Sequence, residues 1–184
     1  PLWTPHPVVW MGRCISTLRR SVEHWSGEHS QWLRLGGLAI TLVLTLGSAS
    51  IGWLIERSAL HTHGVLQSVA VLALVAGLAS ALAAKSLEQS VLNVIAALPC
   101  EQGGDLSAAR QQLSWIVGRD TTSLSRDEIL RATAETASEN AVDGLFAPLF
   151  WMLVGAALWS LGLIEAPGPL ALAWGFKAAS TLDS

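Results

Sequence analysis

Apolar residues in this chain come in long blocks and not at an amphipathic period. Residues 35–55, 64–84 and 144–164 each contain no Asp, Glu, Lys or Arg. Every block is about 20 residues long, the length at which a helix crosses a hydrocarbon core about 30 Å thick. A helix that is apolar all round is otherwise stable only inside a large core, and 184 residues could not wrap three of them. The pattern predicts an all-α, polytopic membrane protein with three spans, joined by a short link at 56–63 and a long one at 85–143.

The long link is patterned differently. Leu87, Val91, Val94, Ile95 and Leu98 recur at helical spacing until Pro99 stops the run, and Gly103, Gly104 and Asp105 supply a turn and an N-cap. Leu106, Ala109, Leu113, Ile116 and Val117 mark a second amphipathic helix, ended by Gly118. A third begins at Ser125, whose hydroxyl caps it while Glu128 reaches back in an S-x-x-E capping box. No period-two alternation occurs, so segment 85–143 is expected to form a layer of amphipathic helices against one membrane face.

The side is set by Lys and Arg, which concentrate in cytoplasmic segments. Arg13, Arg19, Arg20 and Arg34 precede the first block, and Lys85, Arg110, Arg119, Arg126 and Arg131 separate the second from the third; link 56–63 has Arg57 alone. Segments 1–34 and 85–143 are thus read as cytoplasmic, in a multi-pass membrane protein whose segment 165–184 adds a further apolar stretch. Trp32 and Trp53 bracket the first block about 30 Å apart along a helix, as interfacial aromatic belts would. A formal charge of −3 gives no electrostatic case for nucleic acid. Cys14 and Cys100 fit no metal-ligand spacing and read as reduced cytoplasmic thiols. Residues 1–10 lack the basic and apolar regions of a signal peptide.

Three places could carry chemistry. Glu135, Glu139 and Asp143 follow one another at steps of four, which puts three carboxylates on one slowly drifting helix face. Like charges so placed repel unless a cation lies opposite, and Mg²⁺ takes oxygen ligands that it shares with substrate phosphates. The same spacing also describes a solvated polar face on which Glu128 pairs with Arg131. Gly144 and Pro148 then interrupt the entry to the third block, because Pro148 cannot donate to the Gly144 carbonyl; this is either a binding-site wall or an ordinary first turn. Gly118-Arg119-Asp120-Thr121, followed by Thr122, combines a guanidinium fork, close backbone approach and hydroxyls, a set suited to phosphate or to a surface turn. Lys177 and Asp183 are ionisable groups in the final apolar stretch, at membrane depth or at its interface. His6, His61 and His63 lack further ligands at zinc spacing.

Four motif blocks, taken in order, carry a family resemblance. They are His6-Pro7-Val8-Val9-Trp10-Met11-Gly12, Ile116-Val117-Gly118-Arg119-Asp120-Thr121, Ser138-Glu139-Asn140-Ala141-Val142-Asp143-Gly144 with Pro148-Leu149-Phe150, and Thr181-Leu182-Asp183-Ser184. Together they resemble the CobD/CbiB family of adenosylcobinamide-phosphate synthases. The resemblance implies an inner-membrane, amide-forming ligase of cobalamin biosynthesis, in which ATP and Mg²⁺ activate a carboxylate of adenosylcobyric acid and an aminopropanol phosphate attacks. It implies partners that are corrinoid and amino alcohol phosphate substrates, membrane lipid and other corrinoid-assembly enzymes, with no nucleic acid. Under it Arg119, Asp120 and Thr121 are expected to hold phosphate, Glu139, Asn140 and Asp143 to act at the reacting groups, and Glu135, Glu139 and Asp143 to hold the metal. His6, Lys177 and Asp183 are expected to contact substrate. Ser180 stands where the family usually has Asn, which puts that amide's contacts in doubt. Family chains also carry a further apolar helix before the first block and spans after the last, so this chain is expected to be an incomplete catalytic unit. The rival reading is a non-catalytic membrane sensor or scaffold resembling AmpE; an intact Glu139, Asn140 and Asp143 set argues against it.

Overall fold

A computed structural model of the chain describes residue 17 and residues 30–183 other than 83 and 102; the side chains of residues 30, 84–86 and 183 are not described. Every described element is helical, with no strand among the described residues: α1 Ser30–His61, α2 Val65–Ala81, α3 Ala84–Ala96, α4 Ser107–Ser114, α5 Arg126–Ala141, a π-helical turn Val142–Phe146, α6 Ala147–Ser160 and α7 Pro169–Asp183. The chain divides into two compact units. One is formed by α1, α2, α6 and α7, the other, Ala83–Phe146, by α3, α4, α5 and the π turn. The helical runs Gln31–His61 and Arg126–Ser160 are long and apolar enough to cross a membrane, while Val65–Ala81 is a shorter apolar helix.

In the first unit α7 packs against α1, α2 and α6, and α1 also packs against α2. The outer surfaces of these helices are apolar, with Val43, Leu72 and Leu153 between 63% and 69% exposed. Leu170, Ala171, Ala173 and Ala178 of α7 are buried, so the final apolar stretch is the packed centre of this unit. Small residues make that packing possible. A Cβ on Gly52 of α1 would meet the Ala171 Cα at 2.8 Å, and one on Gly77 of α2 would meet the Leu170 Cδ1 at 2.9 Å.

Helix α1 runs through Glu56 and Arg57 to His61, beyond the uncharged block read from the sequence. The charges do not end it because each has a partner inside the unit. Glu56 is fully buried and its carboxyl accepts from three backbone N–H groups at the start of α7: Gly168 at 2.9 Å, Leu170 at 2.6 Å and Ala171 at 3.2 Å. It therefore supplies acceptors for the unpaired donors that begin any helix. Arg57 pairs with Glu165, bonds His61 at 3.0 Å and lies 5.6 Å from the Trp53 ring centre. Trp53, expected at an interface, donates its indole N–H to the Glu165 carbonyl at 3.1 Å.

The second unit has its own core of Val94, Ala109, Leu113, Ile129 and Ala132, bordered by Leu98, Leu106, Ile116, Val117 and Leu124. The five buried residues come from the two segments expected from periodicity and from the third, expected from its capping box. Helix α4 is shorter than the spacing predicts, ending at Ser114; Ile116 and Val117 reach the core from a turn in which both N–H groups bond the Leu113 carbonyl. Its start also differs. Asp105 accepts from the Ser107 N–H at 2.9 Å and the Ser107 hydroxyl at 2.6 Å, while Leu106 takes the position flanking the helix. The Ser125–Glu128 capping box is present as expected, with the Ser125 N–H donating to Glu128 at 2.7 Å.

Candidate functional site

The loop after α4 is fixed from inside. Thr121 is 3% exposed, and its hydroxyl donates to the Arg110 carbonyl of α4 at 3.0 Å. Arg110 in turn donates its Nε to the Leu124 carbonyl at 2.9 Å, so one arginine ties both ends of the loop to the helix. Asp120 Oδ1 accepts from the Thr122 N–H at 2.9 Å and the Thr122 hydroxyl at 2.8 Å, the side-chain turn that Asp favours. Those bonds hold the Asp120 carboxyl below the ordinary carboxylate range, keeping it ionised near neutrality.

With the loop so held, Arg119 faces outward. Its guanidinium Nη2 donates to Glu135 of α5 at 2.9 Å, in an ion pair where the two side chains are 57% and 55% exposed. An ion pair this open contributes about 0–1 kcal/mol, so Arg119 can exchange one anion for another at small cost. Arg119 and Arg110 border a cleft of ≈ 380 Å³ whose remaining wall includes Asp120, Thr122 and Gln111. An exposed guanidinium on Arg119, with Arg110 and Gln111 among the lining residues and water access, suits an oxyanion with several acceptor oxygens.

The carboxylate ladder leads away from this cleft along α5. Glu139 and Asn140 are exposed and lie one turn beyond Glu135, about 6 Å along the axis. The Asn140 amide donates to the Thr136 carbonyl at 3.0 Å. Asp143, also exposed, sits within the π turn Val142–Phe146. That turn falls just before Pro148, which cannot donate to the Gly144 carbonyl; the interruption read from the sequence takes the form of a local change of helical winding. Among the described residues no group of three or more His, Cys, Asp or Glu side chains converges on one point. Magnesium needs only one or two protein carboxylates beside substrate phosphates, and the exposed Glu139 and Asp143 offer that many.

The other expected residues are elsewhere. His6 and Cys14 lie outside the described residues. Lys177 and Asp183 belong to α7 in the first unit, where Lys177 is partly buried and its carbonyl accepts from Thr181 at 2.7 Å. Cys100 is an exposed thiol. Two functional features were not read from the sequence: Arg110 as a wall of the cleft and Glu56 as the acceptor for α7. The signal for Arg110 was its spacing, nine residues before Arg119 across a helix end. For Glu56 it was a lone acidic residue directly after an uncharged block.

Comparisons with known proteins cover the whole chain. The family model described as CobD/Cbib protein matches residues 1–184. The chain is similar to the Cobalamin biosynthesis protein CobD of Pelobacter propionicus, 38% identical over 184 residues, covering 100% of this chain and 50% of that protein. Its similarity to the CobD protein of Klebsiella pneumoniae is 41% over 184 residues, covering 100% and 51%. With the Cobalamin biosynthesis protein CbiB of Salmonella arizonae it is 35% identical over 188 residues, again covering 100% and 51%. The chain spans about half the length of these curated relatives. No solved structure matches it.

Proposed function

The chain belongs to the CobD/Cbib protein family, and on that premise we propose that it contributes the phosphate-handling half of a cobalamin-assembly enzyme set in the inner membrane. The reaction is the ATP- and Mg²⁺-dependent joining of adenosylcobyric acid to an aminopropanol phosphate, giving adenosylcobinamide phosphate. The observation that carries this reading is the cleft of the second unit bordered by Arg119 and Arg110, with Arg119 paired to Glu135, the residue one turn before the exposed Glu139–Asn140 pair on α5. Lipid covers the apolar outer surfaces of α1, α2 and α6, which would be an aggregating patch in water. The excess of Arg in segment 85–143 supports a cytoplasmic position for the cleft, where ATP is available.

On this reading the chain's residues act by positioning and by neutralising charge. Arg119 holds a phosphate, Thr121 braces the loop that carries it, and Asp120 keeps that loop's turn closed. Glu139 and Asp143 offer oxygen ligands, and Asn140 can both donate to and accept from the nucleotide. Bound Mg²⁺ would supply the positive charge that makes nucleotide phosphates better leaving groups. His6, Lys177 and Asp183 contact substrate, and other corrinoid-assembly enzymes are partners.

Membranes carrying the full-length protein should convert adenosylcobyric acid, ATP and aminopropanol phosphate into the amidated corrinoid. Arg119→Ala and Asp143→Ala should each slow that conversion by roughly 100-fold while the protein still inserts. Parent-like turnover in both variants would remove these residues from the site.

A further inference from the structure

Arg119 has little packing of its own to aim it. More than half of its side chain is exposed, and its Nη2 reaches outward to Glu135 of α5. Where the guanidinium points is therefore decided by the backbone that carries it, the stretch 118–124 between α4 and α5. A single residue of α4 holds that stretch at two places. The Arg110 carbonyl accepts from the Thr121 hydroxyl at 3.0 Å, and the Arg110 Nε donates to the Leu124 carbonyl at 2.9 Å. The two pinned residues are also tied to each other, since the Leu124 N–H donates to the Thr121 carbonyl at 3.3 Å. Arg110 is partly buried and closes on the loop from within. Its charge also acts back along α4: Asp105 is held below the ordinary carboxylate range by the Ser107 hydroxyl and N–H first, and Arg110 works in the same direction.

We propose that Arg110 is a positioning residue for Arg119: by bonding Thr121 and Leu124 from the side of α4, it fixes the loop so that the Arg119 guanidinium is held at the cleft within reach of α5. Arg110 lies outside the four motif blocks, and, on the reading of the chain as a synthase, it acts through Arg119 without touching substrate. A loop without these pins spreads its backbone over many conformations, and an exposed arginine on it spreads further. A guanidinium ordered when the chain folds does not have to be ordered again when an anion arrives.

Hydrogen exchange and turnover of the full-length protein in detergent test this together. Arg110→Gln disrupts the bond to Leu124 and should speed exchange of the Leu124 and Thr122 amides about fivefold, while the Ile129 amide of α5, bonded to the Ser125 carbonyl at 2.9 Å, keeps the parent rate. Thr121→Val should loosen the same amides, and Thr121→Ser, which keeps the hydroxyl, should leave them protected. In the conversion of adenosylcobyric acid, Arg110→Gln should lower kcat/KM roughly five- to tenfold when Arg119 is present. In an Arg119→Ala background the same change should cost less than about twofold, because a residue that acts only through Arg119 has nothing left to position. Arg110→Lys, whose ammonium reaches the Leu124 carbonyl on a flexible stem, should recover much of both losses. Parent-like exchange at Leu124 in Arg110→Gln, a rise shared by Ile129, or an equal loss of turnover with and without Arg119 overturns the assignment. A parent protein that makes no amidated corrinoid, with Leu124 still loosened by Arg110→Gln, would instead retire the synthase reading and leave Arg110 as the pin of the loop.

Discussion

Replacing Glu56 by Ala removes the acceptor for three backbone N–H groups at the start of α7, all in a buried setting. Each lost bond costs about 1 kcal/mol, and the lost interaction between the carboxyl and the helix N-terminus adds up to about 2 kcal/mol, for a total of about 3–5 kcal/mol. Glu56→Gln keeps one carbonyl oxygen. Because Oε1 serves Leu170 and Ala171 while Oε2 serves Gly168, the amide can retain two bonds and lose one, about half the alanine effect. The assay is unfolding of the full-length protein in mixed micelles by a denaturing detergent, followed through tryptophan emission. Trp53, Trp159 and Trp174 report on this region, since each donates its indole N–H to a carbonyl within the unit. The expected order of stability is parent, then Gln, then Ala. An alanine variant within about 0.5 kcal/mol of the parent would show that water or lipid replaces Glu56 and that α7 needs no buried cap.

Gly52→Val should destabilise the first unit by about 1–3 kcal/mol in the same unfolding assay, because its Cβ would lie 2.8 Å from the Ala171 backbone, which cannot yield as a side-chain tip can. Gly47→Val, where a Cβ meets nothing within 4 Å, is the matched control and should stay near the parent. In the second unit Glu128 and Asp120 are held below the ordinary carboxylate range by hydrogen bonds, first from Ser125 and from Thr122 respectively. Groups so lowered contribute stability above the ordinary carboxylate range and lose it as pH falls through their lowered values. Amide protection at Thr122 and Ser125, corrected for intrinsic exchange, should therefore hold from pH 7 down to about 5 and drop below the ordinary carboxylate range; protection that is flat across that range would show that these turns stand without their carboxylates.

The second unit was legible in outline because its helices obey local rules. The Ser125 box needs only two side chains three residues apart, and the apolar positions of α3, α4 and α5 must face one core to be buried at all. The length of α4 was not legible. Ile116 and Val117 continue the apolar spacing, but the chain reaches the core with them through a turn, and periodicity cannot separate a helix from a turn that buries the same residues. For the site, the Gly-Arg-Asp-Thr loop stood out by composition, yet the division of labour within it did not. The inward Thr121 and outward Arg119 depend on which side of the loop α4 passes.

By itself the sequence determined that the described residues are helical and that three uncharged blocks interrupt the charge pattern, and it singled out Arg119 and the Glu135–Asp143 ladder as candidates for chemistry. Those properties follow from composition and from the fixed rise and turn of a helix, which require no knowledge of neighbours. Tertiary structure alone decided that Glu56 caps α7, that Glu135 is the ion Arg119 holds, and that Arg110 shares its cleft. In each case the partners lie in different elements, and a charged group's role depends on the donors and acceptors that packing brings to it.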